Sequence, residues 1–265
     1  MEKKNIAWFP EIRLDTISSV QLLQLSSRLK KANAAAVVFA GNVSQQDLPV
    51  NDLQMLEMYT GIPIYYVLGV NDFEGKSIKL AKDNAKSIST KNISWLNNKV
   101  VKLTDESCLI GSNCLGDGQL GKKEDTKFFL GSYCKIKDFK ELTSKDIISG
   151  LQKYANKTVK ATEKVLLKAL GTYKHVVLTT PVPVFAENTV KDGSEMNEHM
   201  LAFCVCKTLG DMLIDVMSKH KDNKLTVISG FVKTNTTYSP SDNIVSITGL
   251  NHDVLDKVQN IVEVN

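Results

Sequence analysis

The stretch "IYYVLGVNDFEG", Ile64 to Gly75, runs β-favouring apolar residues straight into a Gly-Val-Asn-Asp turn. In an open α/β sheet, a buried strand delivers a loop to a ligand site in this way. The turn holds little chemistry of its own: Asn71, Asp72, and Val70 where a polar group is expected. It reads either as an ordinary turn or as the backbone of a site whose reactive side chains have been replaced.

Runs of the same kind recur along the chain: "NIAWF" (5–9), "AAVVFA" (35–40), "PIYYVL" (63–68), "SCLIGS" (107–112), "HVVLTT" (175–180), "LTVISG" (225–230), "NIVSITG" (243–249) and a closing "VQNIVEV". Continuous rather than alternating hydrophobicity predicts strands covered on both faces. Helical spacing is read over Ser18–Lys31, Asn51–Tyr59, Ser77–Ser87, Ser144–Leu170 and Leu201–Lys219. The fourth of these has "TSKD" as its N-cap and Gly171 as its stop. The late segment "KTNTTYSPSD" (233–242) reads as a short link. No Pro/Gly/Ser-rich linker, repeat or low-complexity tract divides the chain, so one domain over residues 1–265 is expected. The mixture of helical crossovers and short links predicts an α/β protein with two sheets sandwiched between helical layers.

Composition narrows the function classes. The chain has 265 residues, 43% apolar and 23% charged, with a net charge of +4. That balance is ordinary for a globular domain and lacks the concentrated basic face of a dedicated nucleic-acid binder. The lysine-rich "KSIKLAKDNAKSISTK" (76–91) reads as a solvated helix face. No export signal is read in "MEKKNIAWFPEIRLD", and no apolar run reaches the ~18 residues of a membrane span. Five cysteines without a CxxC pair favour a reducing, cytoplasmic setting, with Cys204 and Cys206 as buried thiols on one helix.

The ends of the predicted strands, in order, are "PEIR" (10–13), "AGNVS" (40–44), "LGVND" (68–72), "TTPVP" (179–183) and "SGFVK" (229–233). On these fragments the chain resembles the calcineurin-like metallophosphoesterases, whose strand ends carry D-x-H, G-D, G-N-H-[DE], T-H-x-P and G-H-x-H in this order. The segment "LIGSNCLGDGQLG" (109–121) and "KTLGDMLIDV" (207–216) extend the resemblance across nearly the whole chain. It implies a four-layer α-β-β-α sandwich of two mixed sheets.

Carried over residue by residue, the resemblance departs from the family at almost every functional position. D-x-H falls on Glu11 and Arg13, and the bridging aspartate of G-D on Asn42. The metal-ligand asparagine falls on Val70 and the catalytic histidine on Asn71, leaving Asp72 intact. The histidine of T-H-x-P falls on Thr180, and those of G-H-x-H on Phe231 and Lys233. Two divalent ions need an anionic bridge and lone-pair donors around them. Asn42 is neutral, Val70 and Phe231 offer no lone pair, and Arg13 and Lys233 are cations.

No metal or other cofactor and no catalytic residue is therefore expected, with Asn71 and Asp72 as degenerate catalytic positions. The inherited pocket comprises Glu11, Arg13, Asn42, Asn71, Asp72, Thr180, Phe231 and Lys233. Arg13 and Lys233 are expected to fill the space of the metals and to pair with Glu11 and Asp72. Three functions follow as expectations: a non-hydrolytic binding, regulatory or scaffold module; a metal-free phosphate or nucleotide site built on Arg13 and Lys233, with Thr180 and Asn71 adding hydrogen bonds; and a divergent phosphohydrolase with a rebuilt metal site. A one-metal arrangement of Glu11, Asp72 and His252 belongs to the last. Asp117 in "LGDGQLG" reads either as a residual functional carboxylate or as turn chemistry. The partner expected is a phosphate-containing small molecule or a protein, with no nucleic acid and no membrane.

Overall fold

The computed structural model describes residues 3–45, 47–121, 131–190, 196–232, 235–249 and 260–265. Two sheets stack face to face. The first has the order β11-β1-β2-β3-β4, from β1 (Lys4–Phe9), β2 (Ala34–Ala40), β3 (Ile64–Val67), β4 (Ile93–Trp95) and β11 (Ile261–Val264). The second has the order β5-β6-β7-β8-β10-β9, from β5 (Val100–Lys102), β6 (Ser107–Gly111), β7 (His175–Thr180), β8 (Lys224–Ser229), β9 (Thr236–Ser241) and β10 (Ile244–Thr248). Inner pairs are parallel and the edge strands β11, β5 and β9 run antiparallel. Both sheets are thus mixed, as expected.

Three apolar clusters hold the layers. Ile6, Trp8, Val38, Val67, Leu109, Val177 and Ile228 fill the space between the sheets. The outer face of the first sheet packs on α1 (Ser19–Lys31), α2 (Val50–Thr60) and α3 (Ile78–Ile88), and that of the second on α4 (Ser144–Leu170) and α6 (Lys207–Ser218). This is the α-β-β-α sandwich, and strands covered on both sides account for the unbroken apolar runs.

Local signals set the helix ends. Ser18 and Gln21 form a reciprocal capping box at α1, and Thr143 accepts from the Asp146 amide at α4. Along α4, Ile147, Leu151, Leu166 and Ala169 are buried at helical spacing. No helix among the described residues is long and apolar enough to cross a membrane.

Two readings of the chain are corrected. The helix expected over Leu201–Lys219 is broken: α5 (Glu198–Cys204) stops at extended Val205, and α6 begins after Cys206. Cys204 and Cys206 are both buried, but they flank a break rather than share one helix. The Cys206 amide donates to the Pro183 carbonyl, a tertiary bond that helical periodicity does not reveal. The segment expected to be only a link contains β9, whose alternating exposure and Pro240 suit an edge strand.

Candidate functional site

The strand-end loops converge on one another so closely that glycine is required. A Cβ on Gly230, after β8, would lie 2.1 Å from the Ala40 carbonyl oxygen at the end of β2 and 2.4 Å from that of Pro10 after β1. Gly41, at φ 89°, would meet Pro181 after β7 at 2.5 Å. The four loops are therefore one construction. Left-handed backbone is concentrated here as well: Arg13 (φ 49°), Asn42 (φ 49°) and Phe231 (φ 70°) each sit just past a strand end. For a non-glycine residue this conformation costs roughly 1–2 kcal/mol, less for Asn, and such strain clusters at functional sites.

At the centre, the Asn42 side chain oxygen accepts from the Asn71 amide at 3.1 Å, tying the β2 and β3 loops together. The Asn42 and Asn71 side-chain amides each donate to Glu11 Oε1 at 3.5 Å. Glu11, Asn42 and Asn71, read from the sequence as parts of one pocket, are thus brought together by three different strands. Glu11 makes further interactions beyond these two.

Asp72 makes main-chain contacts that the sequence did not disclose. Only 2% exposed, it accepts from the backbone amides of Gly69 (2.8 Å), Ser44 (3.0 Å) and Val43 (3.3 Å). It clasps the two loops through their main chains. Burial pushes its pKa up to about 7, although the surrounding amides pull the other way.

Arg13 is likewise corrected. Its guanidinium does not reach for Glu11 or Asp72. Nε and Nη2 fork onto Asp15 at 3.2 Å each, and Nη2 also donates to Gln45 Oε1 at 2.9 Å. Asp15, first through hydrogen bonding, raises the Arg13 pKa further, with smaller contributions from Glu11 and Glu74. Gln45 continues the chain to Glu74 (3.0 Å), which Lys135 also contacts at 3.2 Å. The result is a neutral polar rim along the first sheet's side of the site, not a cation in vacated metal space. The left-handed backbone at Arg13 turns its side chain back toward Asp15, which spacing alone does not disclose.

Thr180, Val70 and Phe231 are turned into the protein. The Thr180 hydroxyl, 0% exposed, donates to the Val182 carbonyl at 2.7 Å and lies 3.0 Å from the Ser229 hydroxyl, so it is consumed within the second sheet. Val70 belongs to the core under the first sheet. Phe231 is half-buried and packs against the apolar clusters that hold the first and the second sheet to their helices. Lys233 and His252 lie outside the described residues. Asp117 resolves to structure: its carboxylate accepts from the Thr208 amide and hydroxyl, both at 2.7 Å, and from the Gln119 amide, capping α6 from across the fold. The β6 loop and the start of α6 offered no sequence signal for that contact.

Tested for a dinuclear metal centre, these residues fit poorly. Two amides and one carboxylate converge where a bridging anion and imidazoles are needed. Val70 and Phe231 are committed to apolar cores, and the Asp72 oxygens already accept main-chain N–H groups. Among the described residues, no group of three or more His, Cys, Asp or Glu is placed to hold a metal ion.

No protein-family model matches the sequence, and no curated protein matches it. Solved structures do resemble the fold. The phosphopantetheinyl hydrolase PptH from Mycobacterium tuberculosis superposes with a TM-score of 0.62 at 10% identity, over 94% of this chain and 90% of that one. TT1561 of Thermus thermophilus does so with a TM-score of 0.51 at 11% identity, over 100% of this chain and 99% of that one. The chain therefore shares the fold of these two structures.

Proposed function

We propose that this chain is a metallophosphoesterase-like protein that does not hydrolyse phosphate esters and serves in the cytoplasm as a binding, regulatory or scaffold module. The observation that carries this reading is the Glu11–Asn42–Asn71 cluster: a carboxylate held by two neutral amides at the focus of the strand ends. Activating water at neutral pH takes a Lewis acid or a well-placed general base. The two amides supply neither, and the one carboxylate, Glu11, already accepts from both of them. Asp72 is spent on the backbone, which supports the same conclusion. The strained loops and their glycine contacts are what a site-bearing scaffold keeps when its side-chain chemistry changes. All five cysteines are free thiols, in keeping with a reducing compartment.

A generic phosphodiester assay in the presence of manganese tests the proposal. Turnover above the buffer rate that disappears in Asn71→Ala would refute it; no turnover supports it.

A second reading, a metal-free phosphate site, is favoured by one observation. Arg13 keeps Nη1 without a hydrogen-bond partner among the described residues, and its side chain is 28% exposed. A planar guanidinium fork suits a phosphate oxygen even when its other edge is engaged. Lys233 would be its companion in that reading. Thermal-shift measurements against a phosphate and nucleotide panel separate the two: stabilisation lost in Arg13→Ala selects the anion site. A divergent phosphohydrolase needs metal ligands that are not grouped among the described residues.

A further inference from the structure

Five lysines of α4 fall on one line. Lys153, Lys157, Lys160, Lys164 and Lys168 recur at steps of three and four residues, and all five are exposed. At 3.6 residues per turn they occupy an arc of about 80°, and at 1.5 Å per residue they run for about 22 Å. Among the described residues, none of the five pairs with a carboxylate. The acids of α4 stand apart from them. Asp146 accepts from the Thr143 hydroxyl at the N-cap, and Glu163 is half-buried, about a quarter turn off the line. From α3, Lys82 adds a sixth cation, its ammonium seated over the Tyr154 ring one turn before Lys157.

The outer helix α6 is built differently. There Lys207 pairs with Asp211 and Lys219 with Asp215, each four residues apart. On α4 the same spacing sets Lys153 against Lys157, Lys160 against Lys164 and Lys164 against Lys168, with Lys157 and Lys160 three apart. Like charges at these spacings destabilise a helix, and mixed signs would keep the face equally well solvated. An opposite charge covering the stripe accounts for its being kept against that repulsion.

We propose that the α4 stripe is a docking surface for an acidic protein segment, one that sets aspartate and glutamate side chains along the same line. The chemistry of the stripe selects this partner. It holds no arginine, whose planar fork reads phosphates best. It offers no aromatic ring for base stacking: Tyr154, the one ring on α4, is half-buried, with its hydroxyl on the Asn113 carbonyl. A lipid surface would be gripped through apolar side chains beside the lysines, and Leu167 is the one large apolar residue of α4 that is exposed. Lysine ammoniums on flexible stems meet carboxylates without a fixed geometry. None of these residues belongs to the strand-end site, so the surface is independent of what that site binds.

The test uses the full chain and fluorescein-labelled poly-L-glutamate of about 20 residues, enough to cover the stripe, read by fluorescence anisotropy in low salt. Saturable binding is expected, and the triple variant Lys157→Gln, Lys160→Gln, Lys164→Gln should weaken it about 10-fold. The control variant Lys79→Gln, Lys207→Gln, Lys219→Gln removes the same net charge from paired lysines, and should change affinity by less than about 2-fold. The stripe variant should also melt about 2 °C higher than the parent, because its four repulsive pairs are gone. No binding, equal weakening in both variants, or a lower Tm in the stripe variant would overturn the proposal. So would stripe-dependent binding of an RNA duplex or of phosphatidylserine vesicles tighter than that of poly-L-glutamate, which would assign the stripe to a nucleic acid or a membrane.

Discussion

Arg13 forks onto Asp15, two positions along its own chain, with Nε and Nη2 each 3.2 Å from a carboxylate oxygen. The pairing exists because Arg13 takes a left-handed backbone, which folds the chain back on itself. Two opposing effects meet at this residue. Arg13→Ala removes the ion pair and the Gln45 bond and keeps the strain, for a loss of about 1 kcal/mol, given the partial exposure. Arg13→Gly removes the same contacts and relieves the strain, so its loss in urea unfolding should be smaller. If the glycine variant is the weaker of the two, the left-handed assignment is wrong.

Asp72 should leave a signature in the pH dependence of stability. Its folded pKa, about 7, lies above the ordinary value of 3.8, so between those two values the folded state binds more protons than the unfolded one. Stability from this group is present at low pH and is lost as pH rises toward 7. Unfolding free energies measured from pH 5 to pH 8 should show this decline, and Asp72→Asn should remove it.

Gly230→Ala should be among the most damaging single changes. The added methyl meets two backbone carbonyls, of Ala40 and Pro10, which cannot rotate away as a side chain would. A loss of about 3 kcal/mol or more is expected, read as a large drop in Tm or as failure to purify folded protein. A variant with unchanged Tm would mean that the strand ends are further apart than described.

Asp117→Ala should destabilise by about 2 kcal/mol, through the loss of a helix cap and of a buried acceptor for the Thr208 hydroxyl. The effect should be purely on stability. A change in ligand affinity at constant Tm would return Asp117 to the list of functional carboxylates.

Much of the architecture is legible in the chain. Strands buried on both faces write themselves as unbroken apolar runs, and Thr143 or Ser18 mark helix starts by chemistry that acts within one turn. The edge strands β4, β5 and β9 are less legible. They span only 3 residues in β4 and β5, or alternate in exposure as β9 does, and take their structure from a neighbour. The break at Val205 depends on a carbonyl supplied by Pro183. The site divides along the same line. That Glu11, Asn42 and Asn71 meet follows from the order of strand ends, which topology fixes. That Arg13 turns to Asp15, that Asp72 is absorbed by Ser44 and Gly69, and that Thr180 faces Ser229 depend on backbone torsions and main-chain partners. No residue pattern encodes those.

The central claim is that amide and hydrocarbon groups now stand where a pair of divalent ions would have to be held. Elemental analysis of protein purified from medium rich in manganese, iron and zinc tests it most directly. Only trace metal, well below one ion per chain, is the predicted result. About two ions per chain, lost when Glu11 and Asn71 are replaced by alanine, would contradict it.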